Sequence, residues 1–278
     1  MASSIIRIAS VGLVGESVFL GVPGFHIGEE TVTATSMLEE LGGKGFNQAL
    51  AAARAGAQVS FLGAVGPDSY SDNVESFCRK EQIKAYLPKK EQHTAYAVIQ
   101  TDKEGHNHVT VYQGAALDTS DVDEFKSEIA EADILLLNNE VSDKVNLACA
   151  DIAIRNRTRI IMNPSPRRHI PETLKSQVFL FTPNEYEVGE IPDYRNCIVT
   201  LGAKGSLIKS LNALVPAESV VPIDTTGAGD TYTGVLAVML AEGKPIMEAA
   251  KIATKAAAIT ITKQGVVDAI PYRSSYFA

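Results

Sequence analysis

The order of apolar segments along the chain limits its possible folds more than any other feature. Strand-like and helix-like segments alternate through most of the sequence. They are predicted at 5–14 (strand), 46–55 (helix), 59–65 (strand), 68–82 (helix), 121–131 (helix), 134–137 (strand), 143–155 (helix), 159–163, 178–181 and 197–201 (strands), and 229–241 and 246–260 (helices). Such alternation is typical of a mostly parallel sheet with helices on both faces. We therefore predict one three-layer α/β/α domain over residues 1–278.

Two stretches rich in strand-forming residues stand outside this alternation, at about 16–41 and 84–113. The first contains glycine and proline turns and no clear helix, and the second has a turn at 102–105. Because neither stretch fits the strand–helix order, we predict that together they form a small β lid over a cleft.

The charge balance and the cysteines narrow the class of protein. The chain has a net charge of −8 and a pI near 5.2, so it lacks the basic surface that nucleic-acid binding requires. It contains no apolar run of about 18 residues, which predicts no membrane span. The 3 cysteines are far apart and form no C-x-x-C pair, a pattern typical of buried thiols in a reducing cytosol. We therefore expect a cytoplasmic protein.

The run Asp224–Asp230, with the sequence DTTGAGD, carries the strongest chemical signal. A β-type segment (219–223) leads into it, and an apolar helix begins near Gly229. Because Gly227 and Gly229 lack a Cβ, a ligand can approach the backbone, and free N–H groups at a helix start bind phosphate. Asp230 adds a carboxylate, which favours a role in accepting the proton of a hydroxyl that attacks a phosphoryl group. The alternative is an ordinary helix start with an acidic first turn.

A second glycine-rich turn, Leu41–Gln48, also leads into a predicted helix. It is not a P-loop, because the G-x-x-x-x-G-K-[ST] spacing is absent. Lys44 and Asn47 would stand at the mouth of an alanine-rich helix, and an amide offers a donor and an acceptor to the paired hydroxyls of a small polyol. A helix cap with solvent-facing polar residues is an equally good interpretation.

Three further motifs follow predicted strands. Asn184 and Glu187 would share one face of a helical turn and suit Mg²⁺ bound through water, whereas a plain turn is the alternative. Val199–Ser206 is a strand, a glycine turn and a strand, which fits either a nucleotide site or a simple hairpin. Glu140 follows the strand 134–137, where open α/β sheets bind ligands; a solvated loop acid is the alternative.

Together and in this order, the motifs resemble those of the ribokinase-like carbohydrate kinases, a family that also includes the minor, bacterial type of phosphofructokinase and adenosine kinase. The matching runs are Gly42–Ala49, Asn163–Pro166, Asn184–Glu187, Thr200–Gly205 and Asp224–Thr231. They span nearly the whole chain, and the first two are closest to the ribokinase branch. The resemblance implies a ribokinase-like three-layer α/β/α fold with a small β-sheet lid, and an ATP-dependent kinase that acts on a sugar hydroxyl.

The resemblance also implies roles for individual residues. Asp230 would be the general base, and a phosphate-binding anion hole would be formed by the N–H groups of Gly227, Ala228 and Gly229. The sugar would be held by Gly43, Lys44, Asn47, Glu140 and Ser17. The nucleotide would be lined by Asn184, Thr200, Gly202, Gly205, Thr226 and Gly229. Mg²⁺ would be organised through water by Asn184 and Glu187, and a monovalent cation such as K⁺ by Asp224, Thr226 and Gly265. The lid would exclude water on closing and would pair two subunits into a homodimer.

The chain departs from the family pattern in three places. Gly15–Glu16–Ser17 replaces an Asn-x-Asp whose Asp binds sugar hydroxyls, and serine accepts hydrogen bonds more weakly than a carboxylate. Glu16 could substitute only with a shifted backbone, because neighbours on a strand point to opposite faces. The segment 187–197 lacks a helix that the family carries, and Ala269 replaces a serine near the cation loop. The first departure bears on ribose specificity more than on kinase activity.

We expect transfer to the hydroxymethyl group of a small sugar, with a ribose-type pentose as the leading acceptor. A nucleoside or another carbohydrate is the alternative, although a phosphorylated sugar is disfavoured because residues 16–40 contain no Lys or Arg. A second class of function is a non-catalytic sugar or nucleotide sensor on the same fold. A dinucleotide-dependent oxidoreductase would need G-x-G-x-x-G after the first strand, which this chain lacks.

Overall fold

A computed structural model describes residues 5–104, 106–191 and 195–277. The strands are β1 (Arg7–Val11), β2 (Gly15–Gly21), β3 (Ser36–Gly42), β4 (Gln58–Leu62), β5 (Lys84–Tyr86), β6 (Ala95–Thr101), β7 (Asn107–Tyr112), β8 (Ile134–Asn138), β9 (Arg159–Asn163), β10 (Leu180–Phe181), β11 (Ile198–Thr200), β12 (Ser206–Ile208) and β13 (Ala213–Val215). The α-helices are α1 (Lys44–Arg54), α2 (Ser69–Lys80), α3 (Thr119–Glu131), α4 (Asp143–Asn156), α5 (Glu172–Lys175), α6 (Ala228–Ala241) and α7 (Ile246–Thr260). In the described part of the chain, none of these helices combines the length and apolar character needed to cross a membrane.

The centre of the molecule is a six-stranded sheet in the order β10-β9-β8-β1-β4-β5, with every neighbouring pair parallel. Its inner strands are apolar on both faces, as a sheet covered on both sides requires, and β8 (ILLLN) is buried throughout. Helices α1, α2, α6 and α7 pack on one face, and α3 and α4 pack on the other. The predicted three-layer arrangement is confirmed.

The lid is a separate four-stranded sheet in the order β3-β2-β6-β7. Strands β2 and β6 are parallel, and the two outer pairs are antiparallel. One boundary differs from the sequence prediction, because Lys84–Tyr86 is not part of the lid. It is β5, which pairs with β4 at the edge of the central sheet, and the ring of Tyr86 packs 5.1 Å from that of Phe125. A β-type pattern does not reveal which sheet a strand will join.

One other predicted strand also differs. Ser219–Ile223, all within the described residues, is irregular and exposed; Pro222 lies inside it and has no N–H for a ladder, and Val221 is 83% exposed. The strand predicted at 197–201 is present as β11, and with β12 it forms the predicted strand–turn–strand. It belongs to the antiparallel sheet β11-β12-β13, which connects to β10 through a single parallel bridge between Phe181 and Cys197. In the shortened segment 187–197, Val188–Glu190 forms a 3₁₀ turn, and residues 192–194 lie outside the described residues.

The helices differ in how they begin. The starts of α2, α3 and α4 are capped by the side chains of Asp68, Asp118 and Ser142. Helices α1 and α6 instead begin after Gly43 and Gly227, which have no side chain that could cap them; at α1, the Glu140 carboxylate accepts the N–H of Lys44 (2.7 Å). Because no described side chain caps the start of α6, this helix end is suited to an anionic or polar ligand.

Candidate active site

The start of α1 packs directly against the end of β1. The Ser10 hydroxyl donates to the carbonyl of Gly45 (2.8 Å), and a Cβ built on Gly12 would lie 2.6 Å from Cα of Gly45. Gly43 has φ 106°, and a Cβ there would lie 2.4 Å from the carbonyl oxygen of Leu13. Glycine is therefore required at positions 43 and 45, because two backbones meet there without side chains between them.

Asp230 lies in the first turn of α6, is 5% exposed and is held by two amides of α1. Asn47 Nδ2 donates to one of its carboxylate oxygens and Gln48 Nε2 to the other, each at 3.0 Å. These bonds fix the plane of the carboxylate. Asn47, predicted to bind sugar, contacts Asp230 directly, and its Oδ1 has no hydrogen-bond partner among the described residues.

Gln48 is a site residue that the sequence reasoning did not assign. It is fully buried, and it bridges Asp230 and the Asn163 side chain, 3.4 Å from Asn163 Oδ1. Asn163 in turn donates to the carbonyl of Thr182 (2.7 Å). The signal available in the sequence was a pair of adjacent amides at the start of an alanine-rich helix, where a buried glutamine needs a polar partner.

Lys44 and Glu140 meet at the start of α1. The backbone N–H of Lys44 donates to Glu140 Oε2 (2.7 Å), and the N–H of Glu140 donates to Asn138 Oδ1 (3.0 Å). Burial alone would lower the pKa of Lys44, but Asp230, Glu140 and Glu187 together raise it. Three carboxylates from separate parts of the chain therefore favour the charged form of Lys44.

Burial raises the pKa of Glu140 to about 7, and the negative charge of Asp230 adds to this effect. The charge of Lys44 and the N–H groups of Lys44 and Gly45 act in the opposite direction. Glu140 also lines a cavity of about 290 Å³ at the carboxyl ends of the central strands, together with Gly12 and Asn139. This volume is near the lower limit for small-molecule sites and suits a compact ligand.

The start of α6 has the form expected of an anion site. Gly227 has φ 77°, and a Cβ there would lie 2.6 Å from Val266 Cγ1, so only glycine fits. Ala228 follows as the first helical residue. At Gly229, nothing lies within 4 Å of the position of a Cβ, so the helix start is open to a ligand.

The Asn184 and Thr200 motifs lie side by side. Asn184 forms a single parallel bridge with Thr200, whose N–H donates to the carbonyl of Pro183 (2.9 Å). Asn184 and Glu187 bond reciprocally: the N–H of each donates to a side-chain oxygen of the other at 2.9 Å. The two predicted Mg²⁺ residues therefore share one turn next to the predicted nucleotide turn.

The two glycines of that nucleotide turn have different surroundings. A Cβ on Gly202 would meet nothing within 4 Å, which leaves room for a ligand. A Cβ on Gly205 would lie 2.0 Å from the carbonyl oxygen of Val215. The packing of the chain itself is therefore sufficient to require glycine at position 205.

The residues predicted around a monovalent cation also lie together. One oxygen of Asp224 accepts from the N–H (2.9 Å) and hydroxyl (2.6 Å) of Thr226, and the other accepts from the N–H of Gly265 (3.1 Å). Ala269 is buried, and its N–H donates to the carbonyl of Val266 (3.1 Å).

Ser17 and Glu16 face opposite sides of the lid strand β2. A Cβ on Gly42 would lie 2.2 Å from Ser17 Oγ, so this hydroxyl borders the glycine turn. Glu16 instead lines a cavity with Asn73 and Lys80 of α2, where burial and the nearby Glu39 raise its pKa. Glu16 therefore lies against α2, on the other side of β2 from Ser17.

These features together define the class of this protein. It is a kinase with a three-layer α/β/α body, a β lid and an oriented carboxylate at an open helix start. Residues 7–273 match the model of the pfkB family carbohydrate kinases, and the chain belongs to this family.

The chain is similar to ribokinases in sequence and in structure. It is 32% identical to the ribokinase of Haemophilus influenzae over 95% of this chain and 94% of the relative. It is similar to the ribokinase structure from Thermotoga maritima (33% identity, 97% of each chain, TM-score 0.87). It also resembles the ribokinase from Cryptococcus neoformans var. grubii serotype A in complex with ADP (27% identity, 97% of this chain and 98% of that chain, TM-score 0.83). The predictions of a ribokinase-like fold and of a carbohydrate kinase are confirmed.

Proposed function

We propose that this protein transfers the γ-phosphoryl group of ATP to the hydroxymethyl group of a small sugar, a ribose-type pentose first of all. The observation that carries the proposal is the carboxylate of Asp230, held by Asn47 and Gln48 at the uncapped start of α6. The similarity to a ribokinase solved with ADP supports an adenine nucleotide as the donor.

In the proposed reaction, the sugar hydroxyl attacks the γ-phosphorus as its proton passes to Asp230. A new O–P bond forms, and the bond between the γ-phosphorus and the bridging oxygen breaks to release ADP. The N–H groups of Gly227, Ala228 and Gly229 stabilise the negative charge on the transferring group. Preorganised donors of this kind supply a large share of catalysis because they need no reorientation during the reaction.

The acceptor would lie between the start of α1 and the lid. The Asn47 oxygen that lacks a partner, the Glu140 carboxylate and the Lys44 ammonium supply acceptors and donors for sugar hydroxyls. Ser17 contributes a neutral hydroxyl from β2, beside the turn that contains Gly43. This set favours a compact polyol.

Thr200, Gly202 and Gly205 are proposed to line the nucleotide together with Thr226. Asn184 and Glu187 fit Mg²⁺ held through water, because their oxygens are hard ligands already fixed by reciprocal backbone bonds. Bound Mg²⁺ would neutralise charge on the phosphates. Asp224, Thr226 and Gly265 fit a monovalent cation such as K⁺. Because Ala269 stands where a hydroxyl residue is usual, the oxygens that bind this cation would come mainly from backbone carbonyls.

We also propose a cytoplasmic homodimer that pairs through the lid. The Cys78, Cys149 and Cys197 thiols are free and buried, which suits a reducing compartment. Apolar side chains of the lid, such as Met37 and Val109, are more than half exposed. Light scattering of the full chain would test the pairing, since a monomer at all concentrations contradicts it.

The direct test is ATP consumption by the purified protein with Mg²⁺ and K⁺, across pentoses, hexoses, nucleosides and phosphosugars. Turnover on ribose establishes the proposed activity. Turnover on a nucleoside or another sugar keeps the kinase and corrects the acceptor. Binding of ATP without turnover on any compound would favour a sensor over a kinase.

Loss of Gln48 is expected to act on turnover more than on binding. In Gln48→Leu, one oxygen of Asp230 loses its donor, so the base is less well oriented when the hydroxyl attacks. We expect kcat to fall about 10- to 100-fold with KM for the sugar within about twofold, the pattern for an interaction made in the transition state. Steady-state kinetics measures this difference. Equal kcat in the variant and wild type would remove Gln48 from this role.

The pH dependence of sugar use is expected to report Glu140. Its pKa is raised to about 7, so the side chain gains a proton as the pH falls through that value and loses the charge with which it accepts hydrogen bonds. Because kcat/KM reports groups of the free enzyme, kcat/KM for the sugar should decrease below pH 7. A pH profile of initial rates measures this.

Glu140→Gln provides the comparison for that profile. Its carboxamide does not titrate, so we expect a lower kcat/KM at pH 8 and no decrease near pH 7. A decrease that persists unchanged in this variant would assign it to a different group.

A further inference from the structure

A carboxylate of the lid reaches into a loop near the end of the chain. Glu40 lies on β3, and its two carboxylate oxygens accept the backbone N–H groups of Val266 and Val267, the latter at 3.1 Å. Both valines are buried. One side chain of the lid thus satisfies two consecutive N–H groups more than 220 residues away.

The loop that Glu40 holds lies directly behind the start of α6. The position of a Cβ on Gly227 would be 2.6 Å from Val266 Cγ1, so these residues pack without a gap. Next to Val266, the N–H of Gly265 donates to Asp224 (3.1 Å), which precedes the same helix start. A displacement of this loop would therefore move the backbone at Gly227.

The loop is also fixed from its other side. Arg54 donates to the carbonyls of Val267 (2.5 Å) and Ile270 (2.7 Å), and it forms an ion pair with Glu81 at 2.7 Å. Because Arg54 ends α1, the loop is held between the body and the lid. It is therefore positioned to transmit a change in the lid to the body.

Glu40 is also linked to the proposed sugar site through the register of the lid. It is paired with Ser17 across β2 and β3, and directly opposed side chains lie on the same face of a sheet. Strand β3 then runs through Gly42 and Gly43 into Lys44. Any ligand that holds this strand pair and the following turn also holds Glu40.

We propose that Glu40 is a positioning residue that couples the sugar site to the phosphate-transfer end of the active site. Sugar bound at β2, β3 and the glycine turn fixes Glu40, and Glu40 fixes the 265–267 loop that supports Gly227. Because coupling between two binding sites is reciprocal, a bound nucleotide would strengthen sugar binding by the same factor. This inference rests on the proposed function.

The test is the affinity for ribose, measured by calorimetry with and without a non-hydrolysable ATP analogue and Mg²⁺. In the wild type, the analogue is expected to strengthen ribose binding at least about fivefold, the lower end of typical allosteric coupling. In Glu40→Ala, this factor is expected to fall below about twofold. The affinity for each ligand measured alone should change much less than the factor does. Glu39→Ala is the matched control: it alters an exposed glutamate on the same strand and should keep the wild-type factor.

If Glu40→Ala does not fold, Glu40→Gln keeps the size of the side chain and one acceptor oxygen and should show a partial loss of the factor. A variant that weakens both ligands but keeps the factor would show a purely structural role and overturn the inference. If the wild type phosphorylates ribose but the ATP analogue does not strengthen ribose binding, the inference about Glu40 is overturned and the proposed function is left intact. If the wild type neither binds nor phosphorylates ribose or any other acceptor tested, both fail.

Discussion

Replacing Asp230 with asparagine is expected to lower kcat by about 10²- to 10⁴-fold, the usual contribution of a positioned proton acceptor. The carboxamide cannot take the proton of the attacking hydroxyl, and its amino group faces one of the amide donors of Asn47 and Gln48 that now hold the carboxylate. The helix start that would bind phosphate is unchanged, so the affinity for ATP should stay within about threefold. Single-turnover kinetics and nucleotide titration measure the two quantities separately.

Asp72→Asn is the matched control, because Asp72 is also an acidic residue in the first turn of a helix but is exposed on α2. It should leave kcat unchanged. If Asp230→Asn turns over the sugar at a rate near that of the wild type, Asp230 is not the base, and another group must accept the proton.

Gly227→Ala is expected to have the second largest effect. The new methyl group would need the space occupied by Val266, and the residue would also have to keep a positive φ of 77°. The left-handed conformation costs roughly 1–2 kcal/mol for a residue with a Cβ, and the collision displaces the helix start in addition. Because the anion-binding N–H groups then move, we expect kcat to fall more than about 100-fold, as when a donor of an oxyanion hole is lost.

Gly243→Ala separates the two causes. Gly243 follows the other end of α6 with φ 82°, and a Cβ there would meet nothing within 4 Å. This variant carries the backbone strain without the collision, so thermal unfolding should show a lower Tm while kcat stays normal. A similar decrease in kcat in both variants would mean that general destabilisation, and not the position of the helix start, explains the result of Gly227→Ala.

The sequence predicted the members of the candidate site better than their connections. Glu140 follows from its place after β8, because the carboxyl ends of parallel strands meet at one edge of the sheet. Lys44 and Asp230 follow from the glycine-rich motifs that contain them and from the resemblance that these motifs carry. That Asn47 contacts Asp230 does not follow, since it depends on the rotation of α1 against α6. Gln48 was missed for the same reason.

The differences in fold have related causes. A local β pattern at 84–86 does not show whether the strand joins the lid or the edge of the central sheet. The contact from Glu40 to Val266 spans 226 positions and leaves no local mark in either segment. Local patterns thus identify elements, whereas long-range pairing decides where they lie.

The start of α6, which no described side chain caps, has a consequence for the life of the protein in the cell. A cap contributes typically about 1 kcal/mol, and here that contribution is left to whatever binds at the start of α6. A ligand that binds only the folded chain lowers the population of unfolded molecules, which is the population that proteases attack. The abundance of this kinase would then rise and fall with the supply of its own substrates, without any dedicated regulator.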